Sequence, residues 1–395
     1  MADDPDVGTD VISVLGRLYP EPQPVPRGSR GGDLLALPSL AEARVVLPAA
    51  APLASSALRH SRRTVGRTDR VRTTGMSFGL RLGAGRLVGS RVALTGAGQG
   101  IDGALAEVFG HPVVTGMFLG PPRANRKPVL QVLDAAGRVV GFAKVGITPL
   151  AAALAAREAE TLRILGSADL GVVDPPRLLA ELEWDGLPVV VQSALPVWEQ
   201  GPGLDHELFR EAIRDIADTG PRWNGQWRDC AYRGTLRERV AAVEDPELRA
   251  LAAGVLDSRV PDDLELSTGA WHGDLSAFNA ATTAARRVLV WDWERYEQGV
   301  PVGFDALHHV FLPMLRERSP RVEPAVALLH RAPSLLGPLG VGPSAAAGVA
   351  TLYLAELAAR FSRDQQGRTG TAGGDPRHWM RPLAATAPSS RSADG

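Results

Sequence analysis

The stretch WHGDLSAFN (271–279), with VLVWDWE (288–294) shortly after it, is the most informative part of this sequence. It places Asp274 and Asn279 five residues apart in a loop, and Asp292 at the end of a strand that follows a β-hairpin. Two carboxylates and an amide oxygen are hard ligands suited to Mg²⁺. Asp274 alone could cap a turn, but the three residues together favour phosphoryl transfer. In that chemistry one carboxylate accepts the proton of the attacking hydroxyl and the other oxygens hold metal.

Upstream of this stretch, short apolar runs predict a small antiparallel sheet with one helix. Residues 147–166 carry leucine and alanine at helical spacing and end at Gly166, which suits a helix C-cap. A hairpin over 177–195 turns at Asp185 and Gly186. The three strands before the helix read VVTGMFLG (113–120), PVLQVLD (128–134) and VVGFAKV (139–145).

Downstream of Pro196 the pattern becomes mainly helical, interrupted by the loop region 270–305. A small sheet with one helix, followed by a larger helical part, is an α+β layout with two lobes. The helices are predicted at 205–219, 233–257, 303–317, 322–336 and 344–362.

The ends of the chain differ in composition from its middle. Residues 1–32 are rich in proline, glycine and aspartate and are predicted to be partly disordered, and the tail 366–395 is predicted to be disordered. Residues 33–110 form an N-terminal extension whose fold the sequence leaves open. We expect the N-lobe at 111–195 and the helical C-lobe, with the catalytic loop, at 196–365.

Composition excludes several classes of protein. The chain is 45% hydrophobic and 22% charged, with a net charge of −1, so no nucleic-acid partner is expected. Cys230 is the only cysteine, which excludes an internal disulfide framework. The acidic start MADDPDVGTD does not resemble a signal peptide, and the apolar run at 47–58 is too short for a bilayer span. The expectation is a cytoplasmic protein with no membrane insertion; its oligomeric state is left open.

Lysine is scarce in this chain. Of the 43 basic residues only Lys127 and Lys144 are lysines, and the rest are arginines. A lysine on the apolar strand 139–145 could place its ammonium at the strand edge. Because the chain otherwise uses arginine, Lys144 favours a specific contact of a compact ammonium, such as one to a phosphate.

A glycine-rich stretch, VALTGAGQGIDGALAE (92–107), resembles the opening of a dinucleotide-binding enzyme. Asp102 stands where the last glycine of that pattern belongs, and a carboxylate there would repel a diphosphate. Neither lysine follows a tyrosine by four residues, so the Tyr-x-x-x-Lys pair of those enzymes is missing. We interpret the stretch as a connector followed by a short helix that ends at Gly110.

The loop motifs resemble a known family. HGDLSAFN matches the H-G-D-x-x-x-x-N catalytic loop of the aminoglycoside phosphotransferase family, within the protein-kinase-like superfamily, and VWDWE is similar to its metal-binding stretch. The resemblance covers residues 110–365. It implies a bilobal protein-kinase-like fold of the α+β class, with a small antiparallel N-lobe sheet and a larger helical C-lobe.

The resemblance also implies a role for each candidate residue. Asp274 would be the catalytic base, and Asn279 and Asp292 the magnesium ligands. Lys144 would contact the α- and β-phosphates of ATP, with Glu158 of the following helix as its ion-pair partner.

Two further segments receive roles from the same resemblance. The stretch VVVQSAL (189–195) would be the hinge, where the backbone of Gln192, Ser193 and Ala194 binds adenine. Asp305, in GVPVGFDAL, would brace the catalytic loop.

Some assignments keep alternatives. Glu160 is an alternative partner for Lys144, and His272 is assigned to hydrogen bonding within the loop rather than to general base catalysis. The chain lacks a glycine-rich phosphate loop and has LGPPRANRKP (119–128) in its place. Basic residues of that turn could contact phosphates or simply be solvated; they are Arg123, Arg126 and Lys127.

The predicted function is an ATP- and Mg²⁺-dependent phosphotransferase that transfers the γ-phosphate to a hydroxyl of a small acceptor, such as an aminoglycoside, a sugar or an amino alcohol. The alternatives are a non-catalytic, pseudokinase-like scaffold and a kinase-fold enzyme that acts on a peptide or by adenylyl transfer. Four acidic residues could line a site for a cationic acceptor or belong to the solvated surface: Glu199, Asp205, Glu294 and Glu297.

Overall fold

The chain forms two structural units. The first contains the described residues of Met1–Gly166, Pro175–Pro202 and Ala281–Ala285, and the second those of Ser167–Asp174, Gly203–Ala280 and Arg286–Gly395. The computed structural model describes residues 11–26, 31–60, 75–82, 89–95, 99–120, 126–199, 201, 203–316, 323–364 and 374–385.

A nine-stranded antiparallel sheet is the framework of the first unit. Its strands are β1 (Gln23–Val25), β2 (Leu34–Leu37), β3 (Val45–Pro48), β4 (Ser90–Ala93), β5 (Val113–Leu119), β6 (Pro128–Asp134), β7 (Val139–Val145), β9 (Leu178–Trp184) and β10 (Leu187–Ser193), while β8 (Val173–Asp174) belongs to the second unit. Their order in the sheet is β1-β4-β2-β3-β5-β6-β7-β10-β9. The five strands predicted from the sequence are therefore the β5–β6–β7–β10–β9 half of a wider sheet.

Four strands upstream of β5 supply the other half of that sheet: β1, which precedes the N-terminal extension, and β2, β3 and β4 within it. β3 pairs with β5, with Val45 opposite Phe118 and Val46 opposite Met117. The pairing satisfies backbone groups of β5 that would otherwise lie at a sheet edge. Of residues 33–110, whose fold the sequence leaves open, the strands β2, β3 and β4 thus continue the lobe sheet beyond β5.

Side chains alternate between two cores on the two faces of this sheet. Leu34 and Ala36 of β2 belong to one buried cluster and Leu35 to the other, as the two-residue period of a strand requires. Leu15 packs in the first cluster and Ala54 in the second. The helices of this unit are α1 (Val11–Leu18), α2 (Ala51–Arg59), α3 (75–81), α4 (Ile101–Phe109) and α5 (Pro149–Ser167).

The glycine-rich stretch ends in a helix, as the sequence predicts. α4 is followed by Gly110 in the left-handed conformation, with φ 71°, which a glycine adopts without steric cost. Asp102 is not solvated at the helix start: its Oδ1 accepts hydrogen bonds from the hydroxyls of Tyr19 (2.9 Å) and Thr115 (2.9 Å). The carboxylate thus joins α4 to the sheet. Residues 96–98 of the predicted connector lie outside the described residues.

Seven helices and short strands make up the described second unit. The helices are α6 (His206–Asp218), α7 (Ala231–Ala241), α8 (Pro246–Arg259), α9 (Phe304–Leu315), α10 (Pro324–Leu336), α11 (Pro343–Arg363) and α12 (Pro376–Ala385), and the further strands are β11 (Trp223–Gln226), β12 (Glu265–Trp271), β14 (Val288–Val290) and β15 (Glu297–Pro301). Of β13 (Ala280–Thr282), Ala280 belongs to the second unit and the other two residues belong to the first. β12 lies between β11 and β15 in an antiparallel sheet. α11 is buried along most of its length and forms the centre of this unit.

The boundary between the units differs from the predicted one at 195/196. Residues 167–174 belong to the second unit because β8 pairs in parallel with β14, with Val173 opposite Val288. Asp215 of α6 also holds this segment in the second unit, because its carboxylate accepts hydrogen bonds from the backbone N–H groups of Gly171 (2.9 Å) and Val172 (2.7 Å).

The helix predicted over 233–257 is two helices. Asp245 accepts a hydrogen bond from the backbone N–H of Leu248 and caps α8, and Pro246 occupies its first turn. Proline suits a helix start but interrupts a continuous helix. The apolar periodicity predicts helix on both sides of Pro246, and this proline is the sequence signal for the break between α7 and α8.

Both predicted disordered ends contain ordered elements. Residues 11–26 of the first segment form α1 and β1. In the tail, α12 buries Trp379, Met380 and Leu383 against the rest of the second unit. These large apolar side chains are diluted by the polar residues around them, which explains why composition alone predicted disorder.

None of the described helices is both long enough and apolar enough to cross a membrane by itself. Among the described helices, one pair bent by 113°, Pro324–Leu339 with Pro343–Arg363, passes the test of length and composition when taken together.

Candidate functional site

The loop after β12 turns sharply at Gly273. This residue has φ +83°, and a Cβ added to it would lie 2.3 Å from the carbonyl oxygen of Arg295. Glycine is therefore required both by the left-handed backbone and by the close approach of another chain segment. Asp274 follows this turn directly, in the loop after β12.

Substitution of Gly273 by alanine is expected to destabilise the protein more than substitution of Gly299. Both glycines have positive φ, but a Cβ on Gly299 meets nothing within 4 Å. The conformational cost of about 1–2 kcal/mol applies to both, and the clash with Arg295 adds about 1–3 kcal/mol at Gly273. Urea unfolding of Gly273→Ala and Gly299→Ala measures the difference. Equal losses would show that the loop relaxes around the added methyl group.

His272 is a hydrogen-bonding element of the loop. Its Nδ1 accepts the backbone N–H of Asp274 (3.1 Å), and its Nε2 lies 3.0 Å from the carbonyl oxygen of Trp291. A carbonyl can only accept, so the proton is on Nε2. Burial lowers the pKa of His272 to about 4, which keeps the ring neutral at pH 7. With both nitrogens engaged, His272 has the structural role that the sequence analysis favoured over general base catalysis.

Asp305, near the start of α9, braces the same loop. Its two carboxylate oxygens accept the backbone N–H groups of His272 (2.8 Å) and Gly273 (3.2 Å). Burial raises the pKa of Asp305 to about 7. The bracing contact implied by the family resemblance is therefore present in the structure.

The carboxylate of Asp274 is held at both oxygens. Nε2 of His308 lies 2.9 Å from Oδ1, and Nδ2 of Asn279 donates to Oδ2 at 2.8 Å. The side chain of Asp274 is nevertheless 41% exposed. Desolvation opposes its ionisation, but the hydrogen bond from His308 and the nearby charge of Arg360 hold the pKa of Asp274 well below its usual range. Asp274 is thus an oriented, ionised and accessible carboxylate.

Asn279 and Asp292 lie on segments that meet. The carbonyl oxygen of Asn279 accepts the backbone N–H of Trp291 (3.1 Å), next to Asp292. Asp292 has φ 65° and ψ 54°, a left-handed conformation that is uncommon outside glycine and concentrates at functional sites. The structure therefore brings Asp274, Asn279 and Asp292 together in the second unit.

Two arginines, Arg360 and Arg295, form contacts that connect the loop region to α11. Nη1 of Arg360 on α11 donates to the carbonyl oxygen of Gly273 at 2.5 Å. Arg295 forms an ion pair with the buried Asp364 (2.7 Å). These contacts fix the loop to α11, which sequence analysis did not connect with the site.

Lys144 and Glu158 form a buried ion pair in the first unit. Nζ of Lys144 on β7 donates to Oε1 (2.5 Å) and Oε2 (2.7 Å) of Glu158 on α5. The two residues are 2% and 0% exposed. The structure thus places Glu158, and not Glu160, against the ammonium of Lys144. Burying two charges carries a desolvation penalty, which only good geometry offsets. A pair kept at this penalty favours a role other than packing.

The predicted hinge begins inside a strand. Gln192 and Ser193 are the last residues of β10, opposite Phe142 and Gly141 of β7. The backbone N–H of Ser193 donates to the carbonyl of Arg177 (2.9 Å). Ala194 is the first residue beyond β10. Of the three predicted adenine contacts, the N–H of Ser193 is therefore already used within the sheet.

Sequence reasoning missed His308, Tyr353 and Arg360. A usable signal existed for His308, which lies three residues after Asp305 on α9 and hence on the same helix face. Phe278, which lies between Asp274 and Asn279 in the sequence, was also missed. Its side chain is 55% exposed, and the guanidinium of Arg316 lies 4.6 Å from its ring centroid.

The basic turn at 119–128 is only partly described. Residues 121–125, with Arg123, lie outside the described residues. Its other two basic side chains, Arg126 and Lys127, take part in interactions with neighbouring groups. A phosphate contact by this turn stays a prediction.

The donor atoms near Asp274 suit a hard cation. Asn279 uses its amide nitrogen for both hydrogen bonds to Asp274, one to the carboxylate and one to the backbone carbonyl (2.9 Å). Its amide oxygen takes no part in those bonds and is the atom that Mg²⁺ prefers. Within the described residues, no group of three or more histidine, cysteine, aspartate or glutamate side chains is arranged to hold a metal.

Comparison with profiles of known families finds no match, and comparison with curated proteins finds none. Among solved structures, the chain is similar to a putative aminoglycoside phosphotransferase from Ralstonia eutropha JMP134, with 15% identity, coverage of 72% of this chain and 94% of that chain, and a TM-score of 0.42. It is also similar to the GDP complex of wild-type aminoglycoside 2'-phosphotransferase-IIIa, with 12% identity, coverage of 68% and 91%, and a TM-score of 0.41. Both of these solved structures are of aminoglycoside phosphotransferases, the first of them putative.

Proposed function

We propose that this protein is an ATP- and Mg²⁺-dependent phosphotransferase that phosphorylates a hydroxyl of a small acceptor. The observation that carries the proposal is the carboxylate of Asp274, which is ionised, partly exposed and held at both oxygens by His308 and Asn279. An oriented carboxylate of this kind can accept the proton of an attacking hydroxyl.

The other residues divide the remaining tasks. Asn279 and Asp292 would hold Mg²⁺, which supplies neutralisation of the phosphate charge. Lys144 binds the phosphates of ATP, and Glu158 keeps its ammonium oriented through two hydrogen bonds. Ala194 and the residues just before it provide backbone groups for adenine. A cytoplasmic location is part of the same proposal.

Charge pairing of the acidic side chains does not select one acceptor class. Glu297, one of the acidic residues considered for a cationic acceptor, is paired with Arg239 (2.6 Å). Asp205 caps α6 and contacts Arg286 (3.2 Å). Because these two carboxylates are already compensated, they do not favour an aminoglycoside over a neutral acceptor. Sugars and amino alcohols are therefore tested beside aminoglycosides.

The deciding experiment is phosphoryl transfer from ATP to a panel of these three acceptor classes, followed by ³¹P NMR. A new phosphate ester on one acceptor, with release of ADP, is the expected result. Release of pyrophosphate would indicate adenylyl transfer instead. Nucleotide binding without transfer to any acceptor would support the scaffold alternative, and absence of nucleotide binding would refute the proposal.

Asp292→Asn is expected to raise the Mg²⁺ concentration needed for half-maximal activity by about 10–100-fold, because one anionic ligand is lost. Titration of MgCl₂ at fixed ATP measures this shift. Asp229→Asn is the matched control, since its side chain is 68% exposed on the same unit. An unchanged Mg²⁺ dependence in Asp292→Asn would remove Asp292 from the metal site.

A further inference from the structure

We propose that His308 and Tyr353 form a fixed hydrogen-bonded pair that positions the carboxylate of Asp274 for phosphoryl transfer. This inference rests on the proposed function, in which Asp274 is the base. It assigns a task to two residues that no sequence motif of the site contains.

The three groups form a continuous chain. The hydroxyl of Tyr353 on α11 lies 3.0 Å from Nδ1 of His308, and Nε2 of His308 lies 2.9 Å from Oδ1 of Asp274. His308 and Tyr353 are both fully buried. Only the carboxylate end of the chain is exposed to solvent.

Hydrogen-bonding roles follow from the chemistry of each group. An ionised carboxylate can only accept, so Nε2 of His308 carries a proton. Burial lowers the pKa of His308, so its ring is neutral and Nδ1 is an acceptor. Burial raises the pKa of Tyr353, so its hydroxyl stays protonated and donates to Nδ1. The donor direction is the same along the whole chain, from Tyr353 to Asp274.

That direction excludes a proton wire. When Asp274 takes a proton from the acceptor hydroxyl, it cannot pass the proton to Nε2, which is already protonated. The pair therefore acts by position. His308 holds Oδ1 while Asn279 holds Oδ2, so the carboxylate cannot rotate about its Cβ–Cγ bond without breaking one of the two hydrogen bonds.

The buried end of this hydrogen-bonded chain, formed by Tyr353 and His308, is held by ring packing. The ring of Tyr353 meets Phe304 and Phe311 edge to face, with centroid separations of 5.6 and 6.0 Å. The ring of His308 meets Trp271, the last residue of β12, at 6.5 Å. A reactive group supported by side chains that are themselves locked by packing keeps its geometry. Besides Asp274, the titratable groups that act electrostatically on His308 and Tyr353 are Arg360 on α11 and Asp305 and His309 on α9.

Steady-state kinetics of four variants test the pair. Tyr353→Phe removes one hydroxyl and is expected to lower kcat about tenfold with an unchanged KM for ATP. His308→Leu is expected to lower kcat about 100-fold because the carboxylate is no longer aligned. His308→Gln restores a donor for Oδ1 and is expected to recover part of that loss. Tyr19→Phe is the matched control, since it removes a buried, hydrogen-bonded hydroxyl in the other unit.

A two-bond ¹H–¹⁵N spectrum of the histidine rings measures the protonation state and tautomer of His308 independently of turnover. The signals absent from His308→Gln identify His308, and they should show a neutral ring protonated at Nε2. In Tyr353→Phe the Nδ1 resonance should shift because its donor is lost.

Three outcomes would overturn the inference. Active wild-type protein with unchanged kcat in Tyr353→Phe and His308→Leu would remove the positioning role alone. An Nδ1-protonated or charged His308 at pH 7 would contradict the donor direction. Wild-type protein that phosphorylates no acceptor would refute the proposed function, and this inference with it.

Discussion

Replacing Asp274 with asparagine is expected to lower kcat by about 10²–10⁴-fold, the range that general base catalysis contributes. Asparagine has nearly the same shape, and its amide oxygen can still accept the hydrogen bond from His308. It cannot accept a proton from the acceptor hydroxyl. The affinity for nucleotide should change little, because Asp274 acts on the acceptor.

Turnover and nucleotide binding are measured on the same preparation, by coupled ADP release and by titration calorimetry. Asp257→Asn is the control: its side chain is 60% exposed on α8 and pairs with Arg237 on the surface. Asp274→Asn with near wild-type kcat would show that another group accepts the proton.

Lys144→Met is expected to have the second large effect, on stability as well as on activity. Removing the ammonium leaves the carboxylate of Glu158 buried without its Lys144 partner, which costs about 3–5 kcal/mol of the free energy of unfolding. Loss of the phosphate contact should lower kcat by about 10²–10³-fold.

A double variant separates these two effects. In Lys144→Met/Glu158→Leu no buried carboxylate remains, so most of the stability should return, as it does when a buried pair is replaced by apolar side chains. Turnover should stay low, since the phosphate contact is still missing. Arg163→Met is the control, because Arg163 and Glu181 form an exposed pair in the same unit, worth about 0–1 kcal/mol. Recovery of turnover in the double variant would reduce Lys144 to a packing role.

The residues of the site that lie close together in sequence could be predicted because they belong to short motifs. Asp274 and Asn279 are five residues apart, and Asp305 lies in the first turn of α9, within the recognisable stretch GVPVGFDAL. The rarity of lysine made Lys144 stand out in a strand, and the structure gives it the expected partner, Glu158.

Other parts depend on contacts that are remote in sequence. His308 and Tyr353 are 45 residues apart, and nothing in either segment announces the hydrogen bond between them. β1 to β4 contain only three or four residues each, too few for a period-two pattern to be distinguished from chance. Their positions are fixed by pairing with distant strands, which a single sequence does not reveal.

The order of strands in the first unit has a consequence for the nascent chain. β7 pairs with β6 as soon as both have left the ribosome, but its other neighbour, β10, is encoded after α5, β8 and β9. At translation rates of about 5–20 residues per second, the strand that carries Lys144 has an open edge for several seconds. During that interval its unpaired backbone can recruit a foreign strand. Chaperone demand should therefore peak before Val190, the residue that pairs with Lys144 and closes the edge, has left the ribosome.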